Sequence, residues 1–151
     1  MDDIESQMAA SGHLRRLAGV AVEQFQRGDL NAAKRTFGEL EASSRAAGNG
    51  LKLQEVLMYE GLILMDFDHV RARAVFKESV EIARKLEAKE ELALALLKEA
   101  ECLDFDEVHE ALRLCEEGRS FAMEVGSEDL VRRIEQLLDC VRHFTKQAGQ
   151  P

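Results

Sequence analysis

The stretch Ala33-Lys34-Arg35-Thr36-Phe37 returns as Ala72-Arg73-Ala74-Val75-Phe76, and again more loosely as Ala111-Leu112-Arg113-Leu114-Cys115, each time after 39 residues. A small residue four positions before a larger apolar one places both on one helix face. A helical pair recurring at this interval has an apolar face that it cannot bury alone, so it stacks on its neighbours. The interval therefore predicts an all-α chain, an α-solenoid of about three helix pairs. Such folds present binding surfaces more often than catalytic machinery.

Composition agrees. The hydrophobic fraction of 46% and charged fraction of 32% suit a folded helical protein and argue against disorder. The single proline is Pro151, and tryptophan is absent, so no internal proline interrupts a helix and the core is built from Leu, Val, Ala and Met. Net charge is −9 and uneven: residues 1–75 carry −2 and residues 76–151 carry −7. A nucleic-acid surface needs the opposite balance. The three cysteines form no CxxC pair, as expected in a reducing compartment. The opening Met1-Asp2-Asp3-Ile4-Glu5 is acidic where a signal peptide is basic, and no apolar run reaches the length of a membrane span. The expectation is a cytoplasmic protein that binds neither nucleic acid nor membrane.

Seven helices follow from the punctuation. The first runs from about Ile4 to Arg27, weakened at Ser11-Gly12. The second follows Gly28-Asp29, with Asp29 as its cap, and stops at Gly48-Asn49-Gly50. The third covers about Leu51 to Met65, the fourth ends near Leu86, the fifth spans about Lys89 to Leu103, and the sixth about Asp106 to Val125. The turns Asp66-Phe67-Asp68 and Asp104-Phe105-Asp106 each open the second helix of a pair, the aspartates capping and the phenylalanine stapling the turn. They lie 38 residues apart, which implies a one-residue slip of register. After Gly126-Ser127, an apolar stripe from Leu130 to Phe144 marks a last amphipathic helix that caps the stack. The whole is one domain, with repeats at about 11–49, 50–88 and 89–127, a capping helix at about 128–145 and a tail at 146–151.

Gly28-Asp29-Leu30-Asn31-Ala32-Ala33 followed by Phe37 resembles the tetratricopeptide-repeat family, and Asp68 through Ala72 to Phe76 repeats the pattern. The family's usual repeat is about 34 residues with a signature tryptophan; this longer variant is similar to the extended-helix relatives of bacterial regulators and sensor domains. The resemblance implies a right-handed solenoid of TPR-like helix pairs whose first helices line a concave peptide-binding face. Carried over by position, that face comprises Arg15, Ala18, Val22, Phe25 and Gln26; then Gln54, Leu57, Gly61, Leu64 and Met65; then Ala93, Leu96, Ala100 and Leu103. Ala18 and Val22 stand where the family's carboxylate clamp has lysine and asparagine, so a chaperone-tail clamp is not expected. Met58 and Met65 would suit a bound amphipathic helix. The same apolar stripes read as core between neighbouring helices.

Other chemistry is thin. The acids Glu99, Glu101, Asp104, Asp106, Glu107 and Glu110 lack the glycine and ligand spacing of a calcium loop and read as caps and a solvated ridge, able to attract a basic partner. His69 and His109 lie early in second helices without a zinc-binding partner. Cys115 replaces a packing phenylalanine, and neither Cys102 nor Cys140 has a histidine that would make it a nucleophile. There is no phosphate loop, HExxH or GxSxG. The expectation is a non-enzymatic adaptor without cofactor or metal. It would bind a peptide or amphipathic helix of another protein, one with basic segments, through Arg15, Phe25, Gln26, Gln54, Leu57, Gly61, Leu64, Met65, Leu96 and Ala100. The alternative is a ligand- or peptide-sensing domain of a larger signalling or transcription regulator. An exposed repeat end would also allow a homodimer.

Overall fold

The computed structural model describes residues 2–104 and 106–148. Among them are seven helices and no strand: α1 (Asp2–Gln26), α2 (Leu30–Ala46), α3 (Gly50–Leu64), α4 (His69–Lys85), α5 (Lys89–Glu101), α6 (Val108–Glu124) and α7 (Glu128–Ala148). Each packs against the next in sequence, and α5 also touches α7. The connections are short, so consecutive helices run antiparallel, and α2 and α4 run parallel. No helix among the described residues is long and apolar enough to cross a membrane.

The helix starts are chemically specified. Asp29 accepts from the Ala32 N–H at 3.4 Å, Asn49 from Lys52 at 3.0 Å and Asp68 from Arg71 at 3.1 Å, each satisfying a donor that the first turn leaves unpaired. Glu107, not Asp106, precedes α6, and its carboxylate makes no cap; it accepts instead from the Asp104 N–H at 3.1 Å and from Arg73 at 2.8 Å. The expected slip of register disappears with this correction: Asp29, Asp68 and Glu107 stand 39 residues apart. Phe67 is no staple. It is 74% exposed, while Phe105 lies outside the described residues. The backbone is helical through Ser11-Gly12, so the expected weakening is absent; Leu14, Ala18 and Ala21 just beyond are buried against α2 and α3.

The helix ends keep the same interval. Gly48, Glu87 and Gly126 have φ of 64°, 54° and 71°, and the residue after each returns its N–H to a carbonyl five positions back. This left-handed stop suits glycine; at Glu87 a side chain occupies it.

Two apolar clusters meet at α3. Leu14, Ala18 and Ala21 of α1, Ala33, Phe37 and Leu40 of α2, and Val56 and Ile63 of α3 form the smaller. Met58, on another side of α3, belongs to the larger, which continues through α4, α5, α6 and α7 to Leu138. Phe37 stacks on Tyr59 with centroids 5.0 Å apart, and Phe25 meets the same ring edge-on at 5.5 Å. Consecutive second helices are also tied by ion pairs in register: Arg45 to Glu78 at 2.7 Å, and Arg84 to Glu117.

Candidate functional site: a cleft shared by three helices

The residues expected to form a partner-binding face are dispersed by the fold. Leu57 and Leu96 are 1% and 0% exposed, and Gly61 and Ala100 are buried with them. The Gln54 amide is spent inside the protein, donating to the Ser79 hydroxyl at 3.0 Å across α3 and α4. Leu64 and Met65 are half-buried against the larger cluster, and Leu64 faces a different cleft, between α2 and α4. Phe25 is engaged by Tyr59; Arg15 and Gln26 remain exposed on α1. The ten positions do not form one surface.

What α3 offers outward is rotated from the expected set. Glu55, Met58, Tyr59 and Leu62 of α3 line a cleft of about 440 Å³ together with Gln54, with Glu91, Leu94 and Lys98 of α5, and with Arg133 of α7. The cause lies in α3 itself. Leu53, Val56, Leu57, Met58 and Ile63 are all buried, so the helix is apolar on most sides and its pattern does not mark which side faces out. Leu62 and Leu94 are half-buried and rest on the core, giving the cleft an apolar floor.

Its rim carries both signs. Glu55 pairs with Lys52 at 3.1 Å and Lys98 with Glu101 at 3.1 Å. Glu91 and Arg133 have no ion-pair partner among the described residues. One acid on α5 and one base on α7 are thus left available beside apolar surface, the arrangement of an anchor with a polar rim.

The reactive-looking groups are placed for structure. Burial pushes the thiols of Cys102 and Cys115 up to about 11, so both are neutral at pH 7 and poor nucleophiles. Cys140 is exposed. Asp104, Asp106 and Glu107 bring carboxylate oxygens within 4.8 Å of one another at the surface, with Glu107 held by Arg73 and the Asp104 N–H. His69 lies 3.3 Å from Asp104. Burial raises the Glu99 carboxyl, against the opposing pull of Lys77 and Arg73.

Comparison with protein-family models, with curated proteins and with solved structures finds no match to this chain.

Proposed function

We propose that the chain is a non-catalytic interaction module, a right-handed TPR-like α-solenoid that binds a helix or peptide of another protein on the face formed by α3, α5 and α7. The observation that carries this reading is the shared cleft itself: α3 and α5, far apart in sequence, supply one apolar floor, and an unpaired acid on α5 and an unpaired base on α7 stand on its rim. Helix-in-groove recognition uses such a floor for apolar anchors and such a rim for register. The repeating caps, left-handed stops and Arg–Glu pairs support the solenoid. The partner would set an apolar side chain between Leu62 and Leu94, a base against Glu91 and an acid against Arg133. The surplus of acid in residues 76–151 would speed the approach of basic segments. The placement proposed for such a module is cytoplasmic.

The test is capture from native extract with the wild-type chain, with Leu94→Arg, and with the paired reversal Glu91→Arg, Arg133→Glu. Helicity is checked for each by circular dichroism. A protein retained by wild type and lost from both folded variants would support this face as the interface. Equal retention by all three would remove it.

A further inference from the structure

A second cleft, of about 620 Å³, lies on the other side of α3, between the parallel helices α2 and α4. Leu30, Ile63, Leu64, Phe67 and Val75 supply its apolar wall. Gly38 stands midway along α2 and presents bare backbone, with nothing within 4 Å of where a Cβ would be, so a partner helix can approach closely. Phe67, 74% exposed, stands at the edge.

The two ends of this cleft differ in charge. Lys34 on α2 and Arg71 on α4 line one end, and neither has an ion-pair partner among the described residues. At the other end Glu60 of α3 and Glu41 of α2 line the cleft together, near Arg45 of α2 and Glu78 of α4. Arg45 already serves both Glu41 and Glu78. Three carboxyls face one guanidinium, and burial together with Glu41 raises Glu60 to about 8. At neutral pH that end holds a proton where a cation would fit. Lys34 precedes Glu41 by seven residues, two helical turns or about 10 Å along the axis.

We propose that this cleft docks a helix of a partner protein that presents a lysine or arginine to Glu60 and Glu41 and, two turns along the same face, an aspartate or glutamate to Lys34 and Arg71. Leucine-like side chains between them cover Ile63, Leu64 and Phe67. The charges of such a helix repeat at the spacing of α2 itself, since positions seven apart share a helix face. Seating the cation displaces the proton that Glu60 holds, so docking releases it. This surface is separate from the α3–α5–α7 cleft and does not depend on it.

The probe is a capped helical peptide with lysine and glutamate seven positions apart and two leucines between them on the same face, titrated calorimetrically into the full chain at pH 7 in buffers of different ionisation heat. The expected result is saturable binding that releases close to one proton per peptide. A lysine-to-glutamine peptide binds at least tenfold more weakly, and Glu60→Gln removes the proton release. Lys34→Ala with Arg71→Ala weakens binding severalfold and flattens its salt dependence. Leu94→Arg, in the other cleft, leaves all of this unchanged. Absence of saturable binding, or a proton release that survives Glu60→Gln, overturns the proposal. Self-association of the chain that is abolished by Glu60→Gln would also overturn it, by placing a second copy in the cleft.

Discussion

The ring of Phe76 occupies the space that a side chain on Gly61 would need: a Cβ built there meets Cε1 first, with Cζ at 2.5 Å and Cδ1 at 2.8 Å. One repeat further along, the corresponding positions are Ala100 and Cys115, both buried. Where the first-helix residue gains a methyl, the second-helix residue loses its ring. Gly61→Ala should therefore destabilise the fold by about 1–3 kcal/mol through overpacking of a fully buried aromatic. In a double-mutant cycle with Phe76→Cys, the pair should cost less than the two single changes added together, by about 1 kcal/mol or more. Additive effects in urea unfolding would show that ring and glycine are not matched.

Glu87 is the non-glycine member of the series Gly48, Glu87, Gly126 and carries the same positive φ. Left-handed backbone disfavours a Cβ. Glu87→Gly should raise stability by about 1 kcal/mol, set against the greater freedom that glycine gives the unfolded chain. A loss of stability on thermal unfolding would mean that this turn tolerates its side chain without strain.

Glu60 predicts how stability varies with pH. An unperturbed glutamate ionises near 4.5, whereas Glu60 in the fold keeps its proton to about 8. The folded state thus binds more protons than the unfolded one across that window. The contribution of Glu60 is complete below about pH 4.5, falls as pH rises and is gone above about 8. Glu60→Gln should flatten this part of the profile and make the variant the more stable protein at pH 8.5, by on the order of 1–2 kcal/mol. Parallel profiles for variant and wild type would contradict the assignment.

The thiols separate by burial. Cys102 and Cys115 are enclosed and held near 11, while Cys140 is exposed on α7. Under native conditions a disulfide reagent should modify one thiol quickly and the other two only on unfolding. Cys140→Ser should abolish the fast phase; its survival would mean that α5 or α6 opens readily.

Much of the fold is legible in the sequence because its signals are local. Asp29 and Asp68 cap from within three residues of the N–H groups they satisfy, and the glycines at 48 and 126 stop helices by their own backbone. The turn before α6 is misread because three acids compete there. Asp106 matches Asp68 by eye, but Glu107 takes the cap position while its carboxylate is drawn to Arg73 and the Asp104 N–H. The binding face is less legible. In α3 the buried residues run nearly all round, and only the packing of α2 and α4 against it decides that Glu55, Tyr59 and Leu62 keep exposed surface. The Glu41–Glu60 contact joins two helices through a third party, Arg45, and no single stretch of sequence announces it.

The Arg45–Glu78 and Arg84–Glu117 pairs have a consequence for how long such a protein can be. Each arginine sits near the end of one second helix and each glutamate in the middle of the next, so residues 50–88 carry an acceptor for the unit before and a donor for the unit after. That segment is its own adapter. A tandem copy of it spliced between residues 88 and 89 would find an Arg–Glu partner at both new junctions, with Gly61 and Phe76 travelling together inside it, while Ala88 would stand where Asn49 caps α3. Duplication would thus carry its own charge register along, and an asparagine in place of Ala88 is the one change that the helix start would ask for.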